Sequence, residues 1–244
     1  MTEDLTATDA YLRETTAVVS DVPEGGVVLD RTVFYARGGG QPGDTGVLRW
    51  SGGEATVVDT FKRDGDHLHA IEGDVPLTGS EVQAMIDWER RLTLMRTHTA
   101  LHVLSAIIFR DFDAKVTGGN MEPGTARMDF ELDAISVEFG KQVEDVLNGE
   151  LAKGHEVNVL FMPRAEALAD PDLIRTKVNL IPDSVDPIRV IDIGDIDRQA
   201  DGGTHVANTS EVGPVRVVKT ESKGKANKRI KIALADTLLA SRQS

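Results

Sequence analysis

"WERRLTLMRTHTALHVLSAIIFRD", residues 88–111, divides the chain into two kinds of sequence. Leu92, Met95, Leu101, Val103, Leu104, Ile107 and Ile108 recur at helical spacing, which predicts one long helix. Upstream the pattern is different. "GGVVLDRTVFY" (25–35), "TGVLRW" (45–50), "EATVVDTFK" (54–62), "HLHAIEGD" (67–74) and "EVQAMIDW" (81–88) are short, rich in Val, Ile and aromatic residues, and separated by Gly, Asp and Pro. Such runs predict strands of a small barrel. Downstream, a hairpin over 114–132, a helix over Ser136–Lys153, a strand over 155–162, a short helix at Pro163–Ala169 and strands over 188–194, 213–222 and 227–234 follow without a βαβ rhythm. The expected class is α+β. A β-barrel domain with a glycine-rich motif is expected over 1–87 and an α+β domain over 88–244.

The chain has 244 residues, 40% of them hydrophobic, which is enough for two folded domains. No apolar run approaches the length of a membrane span, and the acidic N-terminus does not read as a signal peptide. The chain therefore reads as soluble. It has no cysteine, which excludes disulfides and thiolate metal sites and points to the cytoplasm. A net charge of −13 repels nucleic acid on average, so any nucleic-acid site has to be a local basic patch.

Within the long helix, His98 and His102 lie four apart and so share one face, with Cβ atoms about 5–6 Å apart. Two imidazoles at that distance can share a metal ion. They are equally compatible with a helix that holds two hydrogen-bonded core histidines. A second pair shifts the balance toward metal. "DRQADGGTHVANTSEVG" (197–213) carries Asp201 and His205, also four apart, in a glycine-rich loop. Three histidines and one carboxylate form a plausible zinc set. Thr204, Asn208 and Thr209 in the same stretch are small polar groups able to hydrogen-bond a ligand or the metal-binding side chains.

"HTALHVL" together with "DGGTHVANTSEVG" resembles the paired metal motifs of the editing domain of alanyl-tRNA synthetase. "TVFYARGGGQPGDTG" (32–46) resembles the glycine-rich motif that precedes that domain. "KVTGGNMEPGTARMDFEL" (115–132) and "ESKGKANKRIKIAL" (221–234) match it in place and character. The resemblance covers nearly the whole chain and leaves no room for an aminoacylation domain. It therefore points to the free-standing alanyl-tRNA editing proteins, the AlaX group, and to its longer members, which keep the barrel.

The resemblance implies an aminoacyl-tRNA deacylase that hydrolyses the ester of serine, with glycine as a second candidate, on alanine tRNA, with one zinc ion held by His98, His102, Asp201 and His205. The family usually has cysteine where this chain has Asp201. A carboxylate still binds zinc, but a soft ligand is lost, so affinity and metal identity are expected to change. Thr117 matches the family threonine near the serine hydroxyl. Gly39, Gly40, Gln41 and Asp44 belong either to a tight loop or to a backbone surface close to the tRNA end. Lys219, Lys223, Lys225, Lys228, Arg229 and Lys231 form the clearest basic run. They read either as a solvated hairpin or as phosphate contacts. His67 and His69 read as surface residues, and His155 is given no role. The implied partner is mischarged alanine tRNA, with no DNA and no membrane. A catalytically impaired tRNA-binding protein of the same fold is the alternative that Asp201 keeps open. Hydrolysis of some other small ester is a third reading, which the basic and glycine-rich elements disfavour.

Overall fold

The computed structural model describes residues 1–170, 173, 181–183 and 185–240. It forms two compact units, Met1–Thr93 and Leu94–Ser244. The first unit contains β1 (Glu3–Asp4), β2 (Glu14–Asp21), β3 (Val27–Leu29), β4 (Arg31–Thr32), β5 (Gly46–Trp50), β6 (Gly53–Arg63), β7 (Asp66–Gly73) and β8 (Glu81–Ile86). Six of these close into a barrel in the order β2-β3-β7-β6-β5-β8, with antiparallel neighbours. Alternate side chains, among them Val19, Leu29, Leu48, Val57 and Val82, fill the interior. Closure leaves no unpaired barrel edge. Strand β2 is absent from the sequence expectation, because only Ala17 and Val19 of its eight residues are buried.

His67 and His69 are not surface residues, contrary to the reading above; both are buried. The N-terminal segment and the β3–β4 corner cover that stretch of β7. His69 Nδ1 donates to Val27 O at 3.1 Å, and its Nε2 lies 2.7 Å from Thr32 Oγ1. His67 Nε2 lies 3.4 Å from Asp4 Oδ2. Burial lowers the His69 pKa to about 4. The unfolded chain therefore takes up a proton below pH ~6.5 that the folded chain refuses. The contribution of His69 to stability is complete above pH ~6.5 and is lost, by up to about 3 kcal/mol, as the pH drops to ~4. Urea unfolding of wild type and His69→Gln at pH 7 and pH 4.5 checks this. The variant should show the shallower decline, and equal declines would refute the assignment.

The glycine-rich loop between β4 and β5 turns at Gly39 and Gly40, with φ of 58° and 88°. The amide of Gly38 and the carbonyl of Gln41 face each other at 3.1 Å, and the reverse pair at 2.9 Å. Two positive φ values between paired residues make a tight reversal that favours glycine at both positions. A Cβ on Gly43 would stand 2.2 Å from Thr60 O, so the loop lies directly on β6. The tight-loop reading thus describes this segment. Gln41 and Asp44, expected to meet substrate, are instead buried within the barrel unit. Asp44 Oδ2 accepts from Tyr35 N at 2.7 Å and from Arg91 Nε at 2.8 Å, and a second bond comes from Arg91 Nη2. Arg91 also donates to Val33 O at 2.7 Å and Ala10 O at 2.9 Å. One wholly buried ion pair thereby ties the loop, the N-terminal segment and the first turn of the long helix together.

That helix, α1 (Trp88–Phe112), starts in the first unit and runs on into the second. Asp87 caps it by accepting from Arg90 N at 3.1 Å. From Leu94 to Ile108 it is buried on nearly every side, as befits a helix that is apolar around most of its surface. By length and composition alone it could cross a membrane, contrary to the sequence reading; most of it is buried inside the protein.

The second unit continues with β9 (Val116–Glu122), β10 (Thr125–Phe130), α2 (Val137–Leu151), β11 (Val157–Met162), α3 (Arg164–Ala169), β12 (Ile188–Ile193), β13 (Asp197–Ala200), β14 (Val215–Ser222), β15 (Lys228–Leu234) and α4 (Ala235–Ala240). One antiparallel sheet has the order β14-β15-β10-β9, and a second has the order β11-β12-β13. The barrel with an α+β unit is the expected fold class. Ser136 caps α2 through Phe139 N at 3.0 Å. Asn148 of α2 exchanges two 2.8 Å bonds with the backbone of Val215, which fixes the helix on β14.

Candidate metal centre

A polar side chain on a buried helix costs free energy unless it finds a partner. Thr97, His98, Thr99 and His102 are all buried in α1. Thr97 Oγ1 accepts from Gly124 N at 3.1 Å, at the β9–β10 turn. The other three face the loop that follows β13. Thr99 Oγ1 accepts from Val206 N at 3.3 Å and lies 3.2 Å from His205 Nδ1. His98 hydrogen-bonds the backbone of Thr204. This loop explains why a core helix presents two imidazoles on one face.

The four expected ligands, His98, His102, Asp201 and His205, do converge. One donor atom from each lies within 4.8 Å of all the others. Asp201 Oδ1 is 3.6 Å from His98 Nε2 and 3.9 Å from His102 Nε2, and Asp201 Oδ2 is 3.2 Å from His205 Nε2. The imidazole centroids stand 4.3, 4.7 and 5.1 Å apart. A tetrahedron built on bonds of ~2.0–2.1 Å has edges of roughly 3.3–3.5 Å. The three carboxylate–imidazole separations, 3.2–3.9 Å, lie near that size, and the set as a whole is somewhat wider, so a single divalent ion could be held by a modest inward shift of the side chains.

The side chains are held from behind. His102 Nδ1 donates to Asp197 Oδ2 at 2.8 Å, which selects the tautomer whose Nε2 lone pair points into the cluster. Asp197 is fully buried, and Gln199 Nε2 donates to its two oxygens at 3.0 and 2.9 Å. Arg189 from β12 donates through Nη1 to the carbonyls of Asp201 and Gly203, each at 2.9 Å, and so pins the loop that carries the carboxylate. Asp201 Oδ2 accepts from Gly203 N at 2.5 Å.

Protonation follows from these contacts. Burial pushes the Asp201 carboxyl up, but the charge of His98 and the bonds from His102 and His205 hold it well below the usual range. Burial takes His98 down to about 4 and His205 well below its ordinary value. Burial opposes the charged form of His102 too, yet Asp197 and Asp201 lift it to about 9. An ionised carboxylate and neutral imidazoles are the forms a cation binds. A cation held here would require His102 to give up its proton.

Asp197 and Arg189 were missed by sequence reasoning. Nothing in spacing distinguishes Asp197 from the many other acidic residues of this chain. Asp197→Ala is expected to weaken metal binding by about 10–100-fold, as loss of a ligand-orienting carboxylate does. Competition with a zinc chelator measures it, and an unchanged affinity would refute the role.

Other expected residues lie elsewhere. Thr204 is buried beside the cluster. Asn208 caps a turn of 3-10 helix at Thr209–Val212, and Thr209 Oγ1 donates to Leu151 O at 3.0 Å; both are committed to backbone. In β9, Val116 pairs with Phe130 and Gly118 with Asp129, so Thr117 is the extra residue of a bulge. Its exposed hydroxyl donates to Asn227 at 3.1 Å. Lys228, expected to contact phosphate, is buried with its ammonium donating to Gly224 O at 2.7 Å and Lys225 O at 3.1 Å. It closes the β14–β15 turn. Arg229 forks onto Asp129, at 2.6 and 2.8 Å. Lys223 and Lys225 are exposed.

Comparison with known proteins places the whole chain in a family. Residues 6–90 match the class II (A) tRNA synthetase family, and residues 188–231 match the threonyl and alanyl tRNA synthetase second additional domain. An alanyl-tRNA editing protein AlaX-M of Methanosarcina mazei is 37% identical, over 97% of this chain and 98% of its own length. The AlaX-M protein of Saccharolobus solfataricus is 37% identical over 94% of this chain and 98% of its own. An alanine–tRNA ligase of Pyrobaculum calidifontis is 42% identical over 90% of this chain but only 25% of the ligase. With the barrel, the convergent histidines and these full-length matches together, the chain belongs to the alanyl-tRNA editing proteins of the AlaX-M type.

Proposed function

We propose that this protein is a trans-acting editing hydrolase. It deacylates alanine tRNA that carries serine, and glycine as a second substrate, through a metal-dependent site in the cytoplasm. The observation that carries the reading is the convergence of His98, His102, Asp201 and His205, in a chain matched over nearly its whole length by alanyl-tRNA editing proteins. Zinc fits the donor set, and a bound divalent ion supplies either a polarised ester carbonyl or an acidified water. The chain's own residues set the rest. Asp197 orients His102, Arg189 fixes the Asp201 loop, and Thr99 lies against the outer nitrogen of His205.

An alanine pocket rejects serine by only about 10²-fold, because the analogue merely adds a hydroxyl. A second site that hydrogen-bonds this hydroxyl supplies the missing discrimination. Thr117 is the residue assigned to that bond, since a bulge re-aims its side chain out of the strand alternation. Gly39 and Gly40, at an exposed turn, offer backbone to the tRNA. Thr204 steadies the loop of the cluster, and Lys223, Lys225 and Arg229 are assigned to phosphate contact.

Deacylation of Ser-tRNA, Gly-tRNA and Ala-tRNA of the alanine acceptor, with zinc, tests the proposal. Serine should be removed much faster than alanine, and Thr117→Val should shrink that ratio. An unchanged ratio removes Thr117 from the account. No turnover by folded, tRNA-binding protein would favour the binding-module alternative.

A further inference from the structure

The solvent face of the four-stranded sheet carries an ordered row of like charges. Arg127 of β10 stands opposite Lys231 of β15, and Lys231 stands opposite Lys219 of β14. Directly opposed residues share a face, so three cations lie side by side across three adjacent strands, about 5 Å apart. The next row, two residues along, reads Asp129, Arg229, Glu221. Asp129 pairs with both Arg127 and Arg229. Glu221 is shared by Lys219, Lys223 and Lys231. In this part of the face Arg127, Arg229, Lys219, Lys223 and Lys231 therefore lean on Asp129 and Glu221, an excess of three positive charges. The whole chain carries −13.

The other face of the sheet is core, with Ile230 and Ile232 buried. The cationic face is open: the side chains of Arg127, Lys231 and Lys219 are 37%, 38% and 59% exposed. Like charges in direct cross-strand register destabilise a sheet. Where a fold retains a feature that costs stability, a functional site is the expected place for it.

We propose that the row Arg127–Lys231–Lys219 is a cradle for a stretch of RNA sugar–phosphate backbone. It comprises a strand residue, Arg127, that lies far in sequence from the basic run 219–231, and it does not include Lys228, whose ammonium is spent on its own turn. The proposal rests on the editing reading for the identity of the RNA, which is the tRNA whose ester end reaches the metal cluster. Ion pairing to shared carboxylates keeps the lysine heads arrayed, while the excess charge makes the row an acceptor of phosphates.

The test is binding of uncharged alanine tRNA to wild type and to the double variant Arg127→Gln, Lys219→Gln, by fluorescence anisotropy across salt concentrations. Each lost phosphate contact makes the plot of log affinity against log salt shallower by about one unit, so the double variant should be shallower by about two. At ~0.1 M salt its affinity should be about 10–100-fold lower. Thermal melting gives a readout that a merely structural role would move the other way. Relieving like-charge repulsion should leave Tm unchanged or raise it, whereas a structural row would lower it. Unchanged affinity and slope, or a lowered Tm that accounts for the loss, would overturn the proposal. Ser-tRNA turnover by wild type is measured in parallel. Turnover with stripe-independent binding sinks the cradle alone, whereas stripe-dependent binding without turnover sinks the editing reading alone.

Discussion

His98→Ala is expected to lose bound zinc and serine-specific deacylation together. His98 is buried in the middle of α1, within 3.6 Å of Asp201, and its Nε2 is one of the four convergent donors. Losing an outer-shell partner costs about 10–100-fold in metal affinity, and losing a ligand costs more. Deacylation should fall to the rate of the chelator-treated protein, in a variant that circular dichroism shows to be folded. Asp201→Cys should move the other way for zinc, since a thiolate is a softer ligand than a carboxylate. Metal analysis alongside Ser-tRNA turnover reads both. His98→Ala that retains zinc and activity would place the site elsewhere.

Arg91→Met is expected to cost about 3–5 kcal/mol, because it strands a buried carboxylate without its cation. Arg91 and Asp44 are both essentially fully buried, and the guanidinium also satisfies the carbonyls of Val33 and Ala10. For a chain of this size the loss corresponds to a Tm lower by roughly 6–20 °C. The double variant Arg91→Met, Asp44→Leu should recover much of the difference, since removing both partners leaves no orphan charge. Calorimetry of the two singles and the double reads the coupling. A single variant as stable as wild type would show that the pair does not anchor the loop.

The helix α1 and most strands were legible because apolar periodicity is local and survives without tertiary context. The four residues that converge were legible for the same reason: i, i+4 spacing is a property of a single stretch, and the two pairs pointed at each other only through their chemistry. Burial imposed by distant segments was not legible. His67 and His69 alternate like the outer face of a strand, yet Asp4 and Thr32 arrive from elsewhere to cover them. Asp44 sits in a polar, glycine-rich loop and became core only because Arg91 reaches it from a helix 47 residues away. Lys228 looked like one more charge in a basic run, while turn closure had already claimed its ammonium. Strand β2 was hidden by its polar outward residues. Arg127 escaped notice because cross-strand register, not sequence proximity, sets it beside Lys231.

One divalent ion held by His98, His102, Asp201 and His205 should be required for removal of serine from alanine tRNA. The direct measurement is metal content per chain together with Ser-tRNA turnover, before chelation, after it, and after zinc is returned. One ion per folded chain is expected, with turnover abolished by the chelator and restored by one equivalent of zinc. Full turnover by metal-free, folded protein would contradict it.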